Sequence, residues 1–349
     1  MGLLENLLKI TGNDFAGKVS DGNDADVESY IDTGSYSFNA AISGTIYGGF
    51  PGNKVTGLAG DESTGKTFFA LNAAENFLKA FPKGMVFYFE AESALTTGML
   101  KQRNIPLDRI AIIPVMTIQE FRTQTVKVLD TYLAEPESKR PPLFMVLDSL
   151  GALSTTKEIT DTAAGLETKD MTAAQVTRGA FRVLTLKLGR AKVALLVVNH
   201  TYEGMGMFPT KVMTKGKGLS YAASSIFYLS KSKKKETDNE VTGAIITVFV
   251  NKSRLTVENK KVETLLDYQQ GLNRYYGLLP IAERHGVIKK LSKQYEFPGQ
   301  KPAFENHIYK NPEKFFTKEI LDKIDEACQK EFKYGGGVVV EEDNEPNEE

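Results

Sequence analysis

The stretch GDESTGKT at residues 60–67 restricts the fold more than any other part of the chain. It fits the pattern G-x-x-x-x-G-K-[ST], in which glycines let the backbone turn so that its amides point at phosphate oxygens. An apolar run precedes the motif and a helical pattern follows it, as a phosphate-binding loop between a strand and a helix requires. The motif predicts a nucleotide site formed by Gly60, Asp61, Glu62, Ser63, Thr64, Gly65, Lys66 and Thr67. Lys66 would neutralise the β- and γ-phosphates, and the hydroxyl of Thr67 would bind Mg²⁺.

Short apolar runs alternate with helical patterns through most of the chain. The runs predict strands at residues 54–59, 85–89, 110–115, 143–147, 193–198, 225–230 and 244–250. Helices are predicted between the first five runs, at residues 66–81, 94–103, 117–134 and 171–190. Such alternation is typical of crossover units around a parallel sheet, and the last two runs favour a hairpin at its edge. We therefore predict an α/β P-loop NTPase core with a mainly parallel central sheet.

Composition divides the chain into four segments. We expect a short N-terminal arm at residues 1–29, the ATPase core at 30–271, a small α-rich C-terminal appendix at 272–334 and a disordered acidic tail at 335–349. The last nine residues hold six acids and no base, so residues 1–340 carry +5 although the whole chain carries −1. The tail is either a solvated end or a decoy that competes for a basic groove.

Several classes of protein are excluded by composition. A single cysteine, Cys328, allows no internal disulfide. No window approaches the roughly 18 apolar residues that a membrane span needs. The first ten residues, MGLLENLLKI, lack the basic flank of a signal peptide. Three widely spaced histidines do not favour a metal cluster. We expect a soluble, cytoplasmic protein.

Acidic residues follow two of the predicted strands. Asp148 ends the apolar run LFMVLD and is the expected second Mg²⁺ ligand beside Thr67. Glu90 and Glu92 follow the run MVFYF and, being two residues apart on an extended segment, share a face. A carboxylate near a γ-phosphate can activate water. Glu92 is favoured over Glu90 for this role, although two solvated acids after a strand are the simpler interpretation.

Residues 199–218 leave a buried strand without helical or strand periodicity. The segment begins with Asn199 and His200 and then becomes rich in Gly, Met, Thr and Lys. Irregular segments of this length inside a compact domain are usually functional. Residues 154–170 look like an ordinary flexible loop, and the basic run KSKKK at 231–235 like a solvated turn or a site for duplex DNA.

The order of these motifs resembles that of the RecA/Rad51 recombinase family. The resemblance rests on residues 30–67, on FEAESAL at 89–95 and on LDSLGAL at 147–153. VVNHTYE at 197–203 and KSR at 252–254 are closest to the T4-type phage recombinases, the UvsX proteins. The resemblance covers about residues 28–285. It implies ATP and Mg²⁺ as cofactors, Glu92 as the catalytic carboxylate and His200 as a sensor of the γ-phosphate.

The resemblance also implies roles for segments that the motifs leave unassigned. The segment after His200, and the loop at 154–170, would bind single-stranded DNA. The DNA-binding residues implied are Arg178, Arg182, Lys211, Lys215, Gly216, Lys217 and Gly218. Met205, Met207 and Phe208 are apolar side chains suited to wedging between bases.

Three further residues gain a role in the same way. Lys252 and Arg254, taken alone two exposed cations at a strand end, would reach the γ-phosphate bound to the neighbouring subunit. Met99 stands where family members often stack an aromatic ring on adenine, so base selectivity could be weaker here.

The resemblance implies an ATP-dependent recombinase that forms helical filaments on single-stranded DNA and pairs it with homologous duplex DNA. Single-strand-binding and mediator proteins are its expected partners, and no membrane is involved. Two alternatives remain: a ring-forming helicase built on the same core, and a non-catalytic recombinase paralogue that bridges partners without hydrolysing ATP.

Overall fold

The computed structural model of the protein describes residues 2–12, 16–166, 170–204, 211–235 and 241–335. Its strands are β1 (Tyr30–Ile31), β2 (Phe50–Pro51), β3 (Val55–Gly60), β4 (Met85–Glu90), β5 (Ile110–Pro114), β6 (Leu143–Asp148), β7 (Ala194–Glu203), β8 (Lys211–Met213), β9 (Ser225–Lys235), β10 (Val241–Ser253), β11 (Lys261–Asp267), β12 (Gly271–Asn273), β13 (Lys289–Leu291), β14 (Gln294–Glu296) and β15 (Ala303–Phe304). Its helices are α1 (Leu3–Ile10), α2 (Tyr36–Ser43), α3 (Lys66–Ala80), α4 (Thr97–Gln102), α5 (Ile118–Ala134), α6 (Thr156–Ala163), α7 (Ala173–Ala191), α8 (Gly216–Ala222), α9 (Leu278–Arg284), α10 (Glu305–Lys310), α11 (Pro312–Phe315) and α12 (Lys318–Phe332).

A large sheet forms the centre of the protein. Its strand order is β12-β11-β10-β9-β3-β7-β6-β4-β5, and β8 pairs with β7 outside this path. The strands from β9 to β5 in this order are parallel to their neighbours, whereas β10, β11 and β12 continue the sheet in antiparallel pairs. Parallel pairs require crossover connections, which helices such as α3, α5 and α7 supply. The predicted α/β core with a mainly parallel sheet is confirmed, and the last two predicted strands pair as a hairpin.

Both faces of the central strands are buried, which explains their uninterrupted apolar sequences. On β6, Phe144 and Val146 belong to the apolar cluster that contains α3, while Met145 and Leu147 belong to the cluster that contains α5 and α7. Side chains alternate between the two faces of a strand, so each strand contributes to both clusters. The sheet is thereby fixed between two helical layers.

The carboxyl ends of the parallel strands meet at one edge of the sheet. Gly60 at the end of β3 pairs with His200 on β7, and Glu90 at the end of β4 pairs with Asp148 at the end of β6. In open α/β sheets, ligands bind at this edge. The predicted site residues on β3, β4, β6 and β7 are thus brought together by sheet register alone.

Helix α4 is shorter than the predicted helix at 94–103. The carboxylate of Glu90 accepts hydrogen bonds from the amides of Glu92, Ser93 and Ala94, at 3.2, 2.8 and 2.8 Å. These bonds hold residues 91–94 in a turn, and Ser93 adopts a positive φ of 54°. The helix therefore begins only after Thr96, whose side chain caps it.

Three segments expected to be irregular contain regular structure, and one of them, the predicted turn KSKKK at 231–235, continues strand β9. Within 154–170, α6 begins at a capping box in which Thr155 and Glu158 satisfy each other's backbone amides. After His200, β7 continues to Glu203 and pairs antiparallel with β8 through residues 201–203 and 211–213. This paired segment is called the β7–β8 ribbon below. Met205, Met207, Phe208 and residues 336–349 of the predicted acidic tail lie outside the described residues.

The C-terminal segment packs against the core and contains strands that the sequence analysis did not predict. Strands β13, β14 and β15 form a small antiparallel sheet, and helices α9 to α12 surround it. The carboxylate of Asp325 on α12 accepts hydrogen bonds from the Thr45 hydroxyl at 2.6 Å and the Ile46 amide at 2.7 Å. The three strands are two or three residues long, too short to show a periodic pattern. None of the described helices has the length and apolar character to cross a membrane.

Candidate active site

The loop at residues 60–67 has the backbone shape of an anion site. Ser63 and Gly65 adopt positive φ values of 59° and 91°. A side chain at Gly60 would come within 2.7 Å of both the Leu229 carbonyl oxygen and the Thr64 hydroxyl, so glycine is required there. In the described part of the chain, no protein acceptor is bonded to the amides of residues 62–65. Several free amides at the start of α3 fit a phosphate group.

Lys66 is buried inside this loop. Lys66 is only 6% exposed. Its ammonium donates hydrogen bonds to the carbonyl oxygens of Gly60 at 3.0 Å and Asp61 at 2.6 Å. Burial lowers the pKa of Lys66, while the nearby carboxylates of Asp148, Glu92 and Asp61 act in the opposite direction. The ammonium is thus held at the mouth of the loop, where phosphate oxygens can replace the two carbonyls.

Asp148 and Thr67 form a pair of oxygen ligands beside the loop. The Thr67 hydroxyl lies beside the Asp148 carboxylate, and Asp148 is 8% exposed. Burial raises the pKa of Asp148, although hydrogen bonds from Tyr88 and Thr67 act against that rise. Within the described residues, no cluster of three His, Cys, Asp or Glu side chains could hold a metal by itself. One carboxylate and one hydroxyl fit Mg²⁺, which keeps several waters and takes other ligands from substrate phosphates.

Glu90 and Glu92 have different surroundings. Glu90 is buried and holds the turn after β4, as described above. Glu92 is partly exposed, and its Oε1 accepts a hydrogen bond from the Ser149 hydroxyl at 2.6 Å and lies 2.9 Å from His200 Nε2. The geometry therefore favours Glu92 as the carboxylate that can reach a ligand in the phosphate loop.

The pKa of Glu92 is lower than that of an ordinary glutamate. Partial burial acts to raise this pKa, but hydrogen bonds from Ser149 and His200 and the charge of Lys66 together outweigh it. Hydrogen bonds to the ionised form stabilise that form. Glu92 therefore stays a carboxylate, and hence a proton acceptor, at any pH near neutrality.

If Glu92 serves as the base in hydrolysis of a bound nucleotide, Ser149→Ala is expected to move the acid limb of the pH profile to higher pH. The substitution removes a hydrogen-bond donor to the ionised Glu92, so the pKa of Glu92 rises. As the pH falls, Glu92 is then protonated, and stops acting as a base, at a higher pH than in wild type. Measuring kcat against pH for both proteins checks the shift. An unchanged acid limb would show that Glu92 ionisation does not set it.

His200 connects Glu92 to the β7–β8 ribbon. Its backbone carbonyl accepts a hydrogen bond from the Thr214 amide at 2.9 Å, just after β8 ends. The Asn199 side chain donates to the Thr214 carbonyl at 2.8 Å. His200 therefore touches Glu92, and residues 199 and 200 both contact the end of the ribbon.

Asp61 makes a second connection between the phosphate loop and the ribbon. Its carboxylate accepts a hydrogen bond from the Thr201 hydroxyl at 2.6 Å and forms an ion pair with Lys211 at 2.5 Å. The hydrogen bonds from Lys211 and Thr201 lower the pKa of Asp61. Lys211 is thus held by the phosphate loop in this structure.

Comparison with known proteins identifies the family to which this chain belongs. The family model of the RecA N-terminal domain matches residues 3–273. The chain belongs to the RecA family. It is 28% identical to the recombination and repair protein of Enterobacteria phage T4 over 252 residues, which are 72% of this chain and 63% of the T4 protein. It is 27% identical to Protein RecA of Streptomyces venezuelae over 315 residues, or 88% of this chain and 77% of that protein. Protein RecA of Paenarthrobacter aurescens is 26% identical over 327 residues, or 90% and 86% of the two chains.

The two cations at the end of β10 in this RecA-family chain, Lys252 and Arg254, differ in their contacts. Lys252 is half-buried, and its ammonium donates to the carbonyl oxygens of Ser220 at 2.6 Å and Ala223 at 2.8 Å. It therefore caps the carboxyl end of α8, the helix that follows the ribbon. Arg254 is exposed, and no ion pair within the described residues engages its guanidinium. The sequence analysis predicted the same role for both cations. Within the described residues, Lys252 is held by α8, whereas the guanidinium of Arg254 has no partner.

Lys252→Met is expected to lower the free energy of unfolding by about 1–2 kcal/mol. The variant keeps most of the apolar side chain but leaves two carbonyls at the end of α8 without their cation. Urea denaturation compares it with wild type and with Lys289→Met, which removes an exposed lysine of β13. Equal stability of all three proteins would show that the α8 cap contributes nothing.

The proposed DNA-binding residues lie on α7, β8 and α8. Arg178 and Arg182 are exposed and one turn apart on α7, and the Arg178 guanidinium lies 4.4 Å from the centre of the Tyr221 ring. Lys217 is exposed at the start of α8. Lys215 donates to the Leu153 carbonyl, and burial lowers its pKa. Arg178, Arg182 and Lys217 are therefore accessible, whereas Lys211 and Lys215 have partners in the same chain.

The two glycines of α8 are buried rather than open to a ligand. A side chain at Gly218 would come within 2.7 Å of Thr177 and 2.8 Å of the Arg178 backbone nitrogen. A side chain at Gly216 would come within 2.3 Å of the Met213 Cβ. Both glycines allow α8 to approach its neighbours closely, which positions the exposed residues of α7 and α8 on one surface.

The remaining predicted residue and several unpredicted ones complete the site. Met99 is 37% exposed on α4, beside the turn that Glu90 holds. Sequence reasoning did not identify Thr201, Tyr221 or Tyr88 as parts of this region. Tyr88 lies in an apolar run and Thr201 at a strand end, so neither differs in pattern from a structural residue.

Proposed function

We propose that the protein is an ATP-dependent recombinase that assembles as a helical filament on single-stranded DNA. In that filament it pairs the bound strand with homologous duplex DNA and exchanges strands. The observation that carries the proposal is the contact between Glu92 and His200. This contact joins the carboxylate that can activate water to the strand that continues into the β7–β8 ribbon.

When bound, ATP would supply a phosphoanhydride bond and Mg²⁺ would supply the positive charge that polarises this bond. The residues of the phosphate loop would hold the nucleotide. Backbone amides of Gly60, Asp61, Glu62, Ser63, Thr64 and Gly65 would surround the phosphates, Lys66 would contact them, and Thr67 and Asp148 would hold the metal. Glu92 would accept a proton from the attacking water. Met99 would pack on the adenine.

The ribbon would couple nucleotide to DNA. His200 would sense the γ-phosphate, and its contacts with Glu92 and Thr214 support that role. Lys211 is bound to Asp61 of the phosphate loop, so a change at the loop alters the freedom of a cation on the ribbon. A ligand shifts such an equilibrium through its different affinity for the two states.

Single-stranded DNA would bind along the surface made by α7, the ribbon and α8. Arg178, Arg182 and Lys217 are exposed there and carry positive charge. Lys211 and Lys215 lie beside this surface, and the buried Gly216 and Gly218 would shape it through the close packing of α8. Because cations on phosphates release counterions, DNA affinity should fall steeply as salt rises.

Assembly would place one nucleotide at each boundary between subunits. Arg254 is exposed and unengaged within the described residues, which suits a residue that acts on the neighbour's γ-phosphate, with Lys252 beside it. On the arm at 1–29, α1 exposes Leu3, Leu4, Leu7 and Ile10, an apolar set that would dock on the next subunit. Head-to-tail contacts that do not close generate filaments. Single-strand-binding and mediator proteins in the cytoplasm would be its partners.

A strand-exchange assay tests this function. Purified protein, ATP and Mg²⁺ should transfer a strand from a homologous duplex to a circular single strand, and a heterologous duplex should not react. The T4 relative is named a recombination and repair protein, which supports this expectation. Absence of exchange, together with six-fold rings in electron micrographs, would favour a helicase instead.

A further inference from the structure

Tyr88 brings a hydroxyl into the apolar layer beneath the metal ligands. It lies on β4, two residues before Glu90, and its side chain is fully buried in the cluster that contains α3. Its hydroxyl donates to Oδ2 of Asp148 at 2.6 Å. A buried hydroxyl without a partner is costly, and phenylalanine would fill the same space. Among the residues that the structure describes, this hydroxyl bonds to Asp148 alone, and that bond explains why the position holds a tyrosine.

The direction of this hydrogen bond is fixed by the chemistry of the two groups. A neutral phenol carries one O–H donor, whereas an ionised carboxylate can only accept. The Tyr88 hydroxyl therefore donates, and the Asp148 carboxylate accepts. One oxygen of Asp148 is held from the apolar side of the sheet by a rigid aromatic side chain. A ring packed in a core has little freedom to move.

We propose that Tyr88 is a positioning residue for the magnesium site: its hydroxyl fixes the orientation of the Asp148 carboxylate so that Asp148 and Thr67 are arranged before the metal arrives. Tyr88 does not itself reach the metal. Partners that orient a metal ligand in this way commonly determine metal affinity. The inference rests on the proposed function, since it assumes that Asp148 and Thr67 serve a magnesium nucleotide.

Tyr88→Phe removes a single oxygen and tests the proposal. Binding of a fluorescent, non-hydrolysable ATP analogue is titrated with Mg²⁺, and again in EDTA. The variant should need about 10-fold more Mg²⁺ for half-maximal binding. Its affinity for the analogue in EDTA should match that of wild type. Tyr132→Phe is the matched control, because the Tyr132 hydroxyl donates to the Pro141 carbonyl, a backbone group outside the site.

Three outcomes would overturn the proposal. The first is a Mg²⁺ midpoint equal to that of wild type in a folded Tyr88→Phe protein. The second is an equal loss of affinity with Mg²⁺ and in EDTA, which would indicate a general distortion of the pocket. The third is a further shift of the midpoint when Tyr88→Phe is added to Asp148→Asn, since the hydroxyl should act only through the carboxylate.

The experiment separates this inference from the proposed function. If wild type and Tyr132→Phe fail to bind the analogue with Mg²⁺, the nucleotide site itself is wrong. If both bind and Tyr88→Phe binds identically, only the role of Tyr88 is wrong. Should Tyr88→Phe unfold, Asp148→Asn is compared with wild type in the same titration. If the Mg²⁺ midpoint of Asp148→Asn equals that of wild type, Asp148 does not bind the metal and the proposal is overturned.

Discussion

Lys66→Ala is expected to lower the rate of ATP hydrolysis at least about 100-fold, the usual cost of removing one group that stabilises developing charge. The Lys66 ammonium is buried in the phosphate loop, and among the described residues its hydrogen bonds go to the carbonyls of Gly60 and Asp61. Those contacts leave its full charge available for phosphate oxygens. A steady-state ATPase assay with saturating single-stranded DNA measures the loss.

The control for this prediction is Lys79→Ala. Lys79 lies on the same helix, is exposed and pairs with Glu75, so its removal should leave the rate within about two-fold, as for most surface substitutions. Thermal unfolding should be similar for both variants. Turnover by Lys66→Ala at more than a tenth of the wild-type rate would remove Lys66 from the proposed role.

Arg254→Ala is expected to reduce DNA-stimulated ATP hydrolysis about 1,000-fold, as loss of an arginine that contacts a transferring phosphoryl group does. The side chain is exposed and, within the described residues, makes no ion pair, so its removal should leave the fold unchanged. The loss should affect turnover and spare nucleotide binding by the isolated chain. Parallel measurements of binding and hydrolysis check both parts.

A mixing experiment shows whether Arg254 acts across a subunit boundary. When equal amounts of Arg254→Ala and Lys66→Ala protein assemble together, about a quarter of the boundaries combine an intact loop with an intact arginine. We expect about a quarter of wild-type activity from two proteins that are each inactive. No recovery from a mixture that forms co-assembled filaments would place Arg254 in its own subunit.

The sequence pattern was most informative for residues whose positions follow from the pairing of strands in the central sheet. GDESTGKT required a strand before it and a helix after it, and β3 and α3 provide both. Asp148 and Glu92 follow apolar runs, and parallel pairing of β4 with β6 brings the ends of those runs together. These residues were predictable because the carboxyl ends of parallel strands share one edge.

Other features depend on side-chain geometry that periodicity does not record. Nothing in the spacing of Lys252 and Arg254 indicates that one caps α8 while the other is free. The ribbon was missed because strand β8 has three residues, too few for a period of two to be recognised. Helix α6 was missed although the sequence TTKE at 155–158 contains its capping box. That signal could have been found.

The affinity for single-stranded DNA, measured with and without a non-hydrolysable ATP analogue, tests the coupling of nucleotide to DNA most directly. Fluorescence anisotropy of a labelled oligonucleotide at fixed salt gives both values. Wild type should bind at least about 10-fold more tightly with the analogue, and His200→Ala should lose most of that difference. Equal DNA affinity with and without the analogue, in a wild-type protein that binds both ligands, would contradict the account.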